Sequence, residues 1–398
     1  MGEPIDCLHG ADDELEAKLI AIRRQLHRYP ELANEEYETT EAIREWLRNV
    51  DIRLLDLPLA TGVVAEIGRQ EPGPVVALRA DIDALPIQEA TGLSYASSVA
   101  GKMHACGHDF HTASLLGAAT LLKRKEKELR GCVRLLFQPA EEKGIGAQQM
   151  IKCGALDGVQ LIFGMHNKPD LPVGTIGIRP GSLMSSVNGL RIEIKGVSTH
   201  AAIPHAGVDP ILVSAHLITA LQTVVSRNVS AVDSAVISIT KIHAGNTWNV
   251  IPELAVLEGT VRTLQPDSRI FIRQRIEEIA KGIAATFGAE IKLRWTDGPP
   301  AVHNNKLAAD IAGLAAQQAG LHVILPEPST ASEDFAYYQQ HVAGAFVFMG
   351  TSGNHEWHHP AFTVNERAIW KSARYFEALA ELALLKLTIP EAEEIKHT

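Results

Sequence analysis

A short segment near residue 106 carries a dense cluster of metal-binding side-chain types. One thiol, three imidazoles and one carboxylate fall within residues 104–111. They are Cys106, His104, His108, His111 and Asp109. Thiolate and imidazole are ligands that zinc and similar borderline cations prefer. Such a cluster fits a metal site, a thiol site with Cys106 as nucleophile and His108 as base, or an ordinary helix entry.

Carboxylates and a further imidazole follow three apolar, β-rich runs elsewhere in the chain. They are Asp81 and Asp83 after residues 75–79, Glu141 and Glu142 after residues 132–138, and His166 after residues 161–165. In α/β sheets, ligands bind outside the carboxyl ends of the strands. Three strand ends in succession therefore deliver potential metal ligands to one edge of the predicted sheet.

The elements that must position these residues alternate between helix and strand. The alternation runs from about residue 12 to residue 178 and resumes after residue 300, where a helix at 307–319 precedes a strand at 345–349. This pattern predicts an α/β fold with a mostly parallel central sheet.

Residues 185–298 have a different order of elements: strand, helix, two strands, helix and strand. The order β-α-β-β-α-β is the ferredoxin-like, or split βαβ, arrangement. A chain of 398 residues also exceeds the size at which one hydrophobic core stops growing. We therefore predict a metal-binding catalytic domain formed by residues 1–184 and 299–398, with a smaller domain inserted at 185–298.

Composition excludes several classes of partner. The net charge is −10 and no long basic tract is present, which argues against nucleic acid. No run of 18 apolar residues occurs and the acidic N-terminus lacks a signal-peptide pattern, so we expect no membrane partner and a cytoplasmic location. Four cysteines in a chain of this length do not form a disulfide framework.

The combined motifs resemble those of the two-metal amidohydrolase superfamily of aminoacylase, hippurate hydrolase and carboxypeptidase. They are most similar to the bacterial N-acyl-amino-acid amidohydrolase branch, which includes the plant auxin-conjugate hydrolases. The similarity extends from residues 24–32 to residues 357–362, and so covers almost the whole chain. It implies a small-molecule substrate, an N-acyl-L-amino acid, whose amide bond is hydrolysed.

The resemblance also implies a role for each candidate residue. Two divalent cations would be held by Cys106, His108, Glu142, His166 and His358. A cation pair activates water and polarises the scissile carbonyl. Glu141 would be the general base that passes the proton of water to the leaving amine, and Asp83 would hold a ligand imidazole.

Two positions distinguish this branch from the wider superfamily. Asp81 stands where the related peptidases have a histidine ligand, and Cys106 stands where they have a bridging aspartate. The ion therefore stays open between zinc, cobalt, manganese and nickel. His359 is an alternative to His358 as the last ligand.

The inserted domain carries three further candidates by resemblance. His200 would stabilise the oxyanion, often in the site of a neighbouring subunit, and Asn249 and Arg262 would hold the carboxylate of the substrate. The same resemblance implies a homodimer, or an oligomer built from dimers, formed through this domain, which would also act as a lid.

Other functions fit the same motifs. An aminopeptidase, a carboxypeptidase or an N-carbamoyl-amino-acid hydrolase would use the same scaffold, and a non-catalytic relative would keep the fold as a binding module. The sequence does not select among acetyl, benzoyl, indole-acetyl and carbamoyl groups, because pocket residues are scattered along the chain.

Overall fold

The computed structural model describes residues 5–69 and 73–388, with side chains from residue 12 onward. The described chain forms two compact units. The second unit comprises Ser182–Val302 and Pro328–Ala336, and the first comprises the remainder. The predicted insertion at 185–298 did not include residues 328–336. The outermost predicted bounds, residues 1 and 398, lie outside the described residues.

The helices and strands are as follows in chain order. The helices are α1 (Ile5–Arg28), α2 (Tyr37–Asn49), α3 (His108–Arg124), α4 (Gly146–Lys152), α5 (Pro210–Thr223), α6 (Pro266–Phe287), α7 (Lys306–Gln318), α8 (Phe335–Gln339) and α9 (Arg367–Thr388). The strands are β1 (Arg53–Leu54), β2 (Val63–Gly68), β3 (Val75–Asp81), β4 (Cys132–Gln138), β5 (Val159–Lys168), β6 (Thr175–Gly177), β7 (Gly181–Met184), β8 (Ser186–Lys195), β9 (Thr199–His200), β10 (Ala235–Ala244), β11 (Val250–Ile251), β12 (Leu254–Thr263), β13 (Glu290–Asp297), β14 (Val302–Asn304), β15 (His322–Ile324) and β16 (Gly344–Gly350).

The large sheet of the first unit has the strand order β1-β2-β4-β3-β5-β16-β6-β15. The neighbours β4, β3, β5 and β16 pair in parallel, whereas β1, β2 and the β16–β6 pair are antiparallel. The central strands β3, β4 and β16 are buried along almost their whole length, as in sheets covered on both faces. The predicted α/β class with a mostly parallel central sheet is confirmed.

Helices α1, α3 and α9 pack together within the core of the first unit. Gly117 of α3 lies where they meet, since a Cβ at this position would come within 2.6 Å of a methyl carbon of Leu19 and 2.7 Å of Cβ of Ala373. The close approach fixes α3, whose first residue is His108. None of the described helices is both long and apolar enough to cross a membrane.

The second unit contains an antiparallel sheet with the strand order β10-β12-β8-β13. Buried and more accessible residues alternate along β8, which is typical of a sheet with one face against a core. Helices α5 and α6 supply the rest of that core. Asp209 caps α5 by accepting the backbone N–H of Ile211, and Pro210 occupies the first turn.

Candidate metal centre

Three adjacent strands of the large sheet end at one group of polar side chains. Asp81 is the last residue of β3, and Glu141 follows β4 closely. His166 was predicted to follow its strand, but it lies within β5. The prediction was wrong because β5 continues in register beside β16 as far as Lys168. The candidate residues nevertheless share one edge of the sheet, as expected from parallel pairing.

Cys106 and His108 are placed by the start of α3. Gly107 between them caps the helix with φ +85°, in the left-handed region that glycine adopts without strain. A Cβ on Gly107 would also lie 2.5 Å from Nδ2 of Asn167. The helix begins at His108, so this ligand candidate lies in the first helical turn.

At two other candidates, Glu141 and His358, the backbone has a non-glycine residue with positive φ. Ala140, directly before Glu141, has φ +53°, and His358 itself has φ +66°. Such conformations cost energy and persist where surrounding contacts hold them. The backbone N–H of His358 donates to the carbonyl of Ala105 at 2.9 Å, which ties this residue to the segment before Cys106.

The predicted ligands and Glu141 come together in space. Among these predicted residues, ligand atoms within 4.8 Å of one another form three groups: Cys106 with His108 and His166; Cys106 with Glu142 and His358; His108 with Glu141 and Glu142. Sγ of Cys106 is 3.5 Å from Nε2 of His166, and Nε2 of His358 is 3.4 Å from Oε1 of Glu142. Cys106 belongs to two groups, so one thiolate could serve two cations.

Of the two adjacent histidines, His358 and His359, His358 is the one that faces Glu142. The His359 ring instead stacks on His355 at a centroid separation of 4.1 Å, and its Nδ1 accepts the backbone N–H of Ala361 at 3.0 Å.

Hydrogen bonds orient the buried imidazoles towards the centre of the site. Nδ1 of His108 is 3.2 Å from Oδ1 of Asp83, and Nδ1 of His166 donates to the backbone carbonyl of Asn167 at 2.8 Å. Nε2 of His108 is buried and has no hydrogen-bond partner among residues 5–69 and 73–388. Partners on Nδ1 that leave Nε2 available are the usual outer contacts of a metal-binding histidine.

The electrostatics of this pocket also fit a cation. Burial disfavours the charged imidazole of His108, but the surrounding carboxylates, Asp81 first, outweigh it and raise its pKa to about 10. Burial and the carboxylates of Glu142 and Glu141 raise the pKa of the Cys106 thiol well above its usual range. The first shift reports negative potential that a divalent cation would neutralise. The second disfavours thiol catalysis, which needs a lowered thiol pKa.

Asp81 and His111 form a hydrogen-bonded network beside the ligand candidates. One oxygen of Asp81 accepts from Arg79 and the other is bonded to Nδ1 of His111, both at 2.6 Å. Burial opposes ionisation, yet the electrostatic interactions with His108, His111 and Arg79 hold the pKa of Asp81 well below its usual range. Because Arg79 already neutralises Asp81, we infer that this network holds the ligand candidates in place and does not itself bind a cation.

The remaining polar residues of the segment 104–111 face the core. Asp109 accepts from Nε of Arg23 at 2.7 Å and is 2.9 Å from Nδ1 of His27. Burial lowers the pKa of His104 to about 3, so its ring is neutral. The structure thus divides the initial cluster into ligand candidates and core residues.

In the second unit, His200 lies on a small two-stranded sheet, and Asn249 directly precedes the second strand of that sheet. Residue Val250 of β11 pairs with His200 of β9, and the carbonyl of Asn249 accepts the N–H of Ala201 at 3.0 Å. Arg262 lies on β12 and donates to the carbonyl of Thr330 at 3.3 Å. Within the described part of the chain, no hydrogen bond joins Arg262 to His200 or Asn249.

Sequence reasoning missed three residues of the site. Glu36 and Asn167 are fully buried and hydrogen-bond the segments that carry the ligand candidates. The ring of Trp357 lies edge-on to His166 with centroids 4.7 Å apart. Of the three, Asn167 and Trp357 have one signal in the sequence, which is that they adjoin His166 and His358.

Comparisons with known proteins found similar sequences and structures. A model of peptidase family M20/M25/M40 matches residues 77–382. An N-acetyl-L-cysteine deacetylase of Bacillus subtilis (strain 168) is 53% identical over 362 residues, 91% of this chain and 87% of that protein. The IAA-amino acid hydrolase ILR1-like 4 of Arabidopsis thaliana is 36% identical over 380 residues, 93% of this chain and 86% of that protein.

A solved structure is also similar over nearly the whole chain. It is a Bacillus subtilis protein described as a dinuclear metal-binding peptidase from the M20 family. The TM-score is 0.87 at 48% sequence identity, and the match covers 95% of this chain and 100% of that one.

Proposed function

The chain belongs to peptidase family M20/M25/M40, a family of hydrolases, and from this membership we propose that it hydrolyses the amide bond of N-acyl-L-amino acids with two divalent cations. The observation that carries the proposal is the convergence of Cys106, His108, Glu142, His166 and His358 beside Glu141. Five donors of mixed thiolate, imidazole and carboxylate type suit a pair of borderline cations.

The five donors would hold the cations. Bound divalent cations lower the pKa of water and polarise the scissile carbonyl. The thiolate favours zinc, cobalt or nickel, and manganese is compatible with the carboxylate and imidazole donors. Asp83 keeps the His108 ring in place through Nδ1 and also accepts the backbone N–H of Glu142 at 3.0 Å.

Glu141 is the general base of the proposed reaction. Its carboxylate lies within 4.8 Å of the ligand atoms of His108 and Glu142, so it can accept a proton from water that enters the site. It then returns this proton to the nitrogen of the scissile amide, so that this nitrogen leaves as a neutral amine.

His200 is proposed as the donor to the oxyanion, in the site of a partner subunit. Its Nδ1 accepts the backbone N–H of Ala202 at 3.0 Å, so in the neutral ring the proton lies on Nε2 and can be donated. Arg262 has only the Thr330 carbonyl as an acceptor among the described residues, and its guanidinium suits the substrate carboxylate, with Asn249 as a second donor.

A homodimer formed through the second unit is part of the proposal. β10 is an edge strand, and apolar side chains on it and on α5 are exposed, with Ile242 at 57%, Leu212 at 50% and Ile211 at 48%. An unpaired strand edge beside apolar side chains suits the self-complementary contact of a two-fold dimer.

The substrate class is tested by a panel of N-acyl amino acids with zinc, cobalt, manganese and nickel. N-acetyl-L-cysteine comes first, because a 53% identical relative is named a deacetylase of that compound. N-benzoyl, indole-acetyl and N-carbamoyl amino acids and dipeptides complete the panel. The expected result is turnover that chelation abolishes and metal restores, and turnover by the metal-free protein would overturn the proposal.

The Glu141→Gln variant separates binding from catalysis. It keeps the size of the side chain but removes the base, so we expect kcat to fall by about 100- to 10,000-fold with metal content unchanged. Elemental analysis of the same samples measures the metal.

A further inference from the structure

Asn167 is a fully buried residue of β5 that hydrogen-bonds its neighbour His166 and two other segments of the candidate site. Its side-chain Nδ2 donates to the carbonyl of Cys106 at 2.5 Å. Its own carbonyl accepts from Nδ1 of His166 at 2.8 Å and from Nε1 of Trp357 at 3.1 Å. The residue therefore joins the segment before α3, strand β5 and the segment that carries His358.

The orientation of the Asn167 amide follows from its partners. The carbonyl of Cys106 can only accept, so the NH2 group must face it. Oδ1 then faces the indole N–H of Trp357, which can only donate, at 3.3 Å. Both ends of the amide are matched, so one rotamer is favoured.

Asn167 also contacts His111 on α3. The hydrogen-bond partners of His111 show which of its ring nitrogens carries the proton. The backbone N–H of Asn167 donates to Nε2 of His111 at 2.9 Å, so this nitrogen is the acceptor of a neutral ring. The proton lies on Nδ1, which faces Asp81 at 2.6 Å. His111 thus uses both nitrogens within the protein and connects Asp81 to Asn167.

Glycine at position 107 completes the fit. The Asn167 amide packs directly against the backbone between Cys106 and His108, where a Cβ would lie 2.5 Å from Nδ2. The side chain of Asn167 therefore packs closely against the backbone of Gly107, and this contact joins the strand that supplies His166 to the segment that supplies Cys106.

We propose that Asn167 is a positioning residue that sets the separation of Cys106 and His166 and thereby the metal affinity of the site. The inference rests on the proposed two-cation function. Asn167 acts through the Cys106 carbonyl, because the side-chain amide of Asn167 contacts that carbonyl and His111. Without Nδ2, the Cys106 carbonyl loses its hydrogen bond to the end of β5, and the 3.5 Å separation between Sγ of Cys106 and Nε2 of His166 loses that support.

The test compares Asn167→Ala and Asn167→Asp with the unaltered protein. Metal affinity is measured by competition with a chromophoric chelator, and the cobalt-loaded proteins are compared by their thiolate-to-cobalt absorption. Loss of an outer contact of this kind typically weakens binding, and we expect at least about tenfold here, with an altered absorption band. Asn167→Asp keeps the shape and replaces the donor by an acceptor, so it should weaken binding even if Asn167→Ala does not fold.

Asn304 provides a matched control. It is also a buried asparagine of the first unit, and its Nδ2 donates to the carbonyls of Arg179 and Phe346 at 2.9 and 2.8 Å. Asn304→Ala should lower thermal stability but leave metal affinity and the cobalt spectrum unchanged. Equal weakening in both positions, or unchanged affinity and spectrum in both Asn167 variants, would overturn the inference. An unaltered protein that takes up no metal would overturn the proposed function as well, so the two failures are distinguishable.

Discussion

Oε1 of Glu36 lies 2.8 Å from the backbone nitrogen of Ala140, the residue directly before Glu141. Oε2 of the same carboxylate accepts the hydroxyl proton of Thr61 at 2.8 Å. Burial raises the pKa of Glu36, although the hydrogen bonds that it accepts oppose the shift. A side chain at the start of α2 thus holds the strained turn that presents the proposed base.

This contact predicts that Glu36→Ala lowers kcat. The Ala140 amide would lose its acceptor and the turn would relax, and small misplacements of a catalytic group cost up to about 100-fold in rate. KM should change little. Steady-state kinetics measures both constants, and Glu38→Ala, an exposed glutamate on the same helix, is the control. Unchanged kcat in Glu36→Ala would refute a positioning role.

Asp83→Ala should weaken metal binding. The substitution removes the acceptor for Nδ1 of His108 and for the amide of Glu142, and such outer contacts are worth about 10- to 100-fold in affinity. Asp83→Asn keeps one acceptor and should show a smaller loss. Chelator competition measures the affinity, with exposed Asp56→Ala as the control. Equal affinity in all variants would exclude Asp83 from this role.

Cys106→Asp distinguishes a ligand from a nucleophile. A carboxylate can replace the thiolate as a metal ligand, so we expect reduced but measurable metal-dependent activity, while Cys106→Ala should have far less. A nucleophilic thiol would leave both variants inactive. Initial rates at saturating metal decide between these outcomes.

Arg262→Met should raise KM for substrates with a free α-carboxylate. A hydrogen bond to a charged group is worth about 1.5–3 kcal/mol, which corresponds to roughly 10- to 100-fold. The matched test uses N-acyl amino acid amides, which lack that charge. If the proposal is correct, the variant and the unaltered protein should differ little on the amides. A KM that stays constant for the acids would rule out the contact.

Ile242→Lys should weaken self-association. It places a charge on the exposed end of the edge strand β10, where burial of an unpaired charge is costly. Sedimentation velocity should show a smaller species than the unaltered protein, whereas Lys292→Glu on exposed β13 should not change the mass. A monomeric unaltered protein with full activity would refute both the dimer and the role of His200 across subunits.

The sequence was sufficient for the family and for the α/β class, both of which are confirmed. Ligand types follow strand ends, and parallel strands bring those ends to one edge, so side chains far apart in the chain could be grouped in advance. Glu142 was placed in this way, whereas His358 was assigned only by the family resemblance; the two belong to one group of ligand atoms.

Glu36 and Asn167 could not be found in this way. Each acts through contacts that span 104 and 61 positions of the chain, respectively. Glutamate at a helix start is ordinarily a solvated residue that interacts with the helix dipole, and an asparagine after a histidine has no periodicity of its own. Their burial depends on tertiary packing, which local patterns do not encode. The same holds for residues 328–336, which join the second unit only through folding.

His358 differs from the other ligand candidates in its access to water. Its side chain is 53% exposed, whereas that of His108 is fully buried and that of Glu142 is 12% exposed. The group that includes His358 is therefore open to solvent on one side, and the group of Cys106, His108 and His166 is enclosed. Two cations bound here would not be kinetically equivalent: the one at His358 would exchange first, so loading and depletion would pass through a form with a single ion.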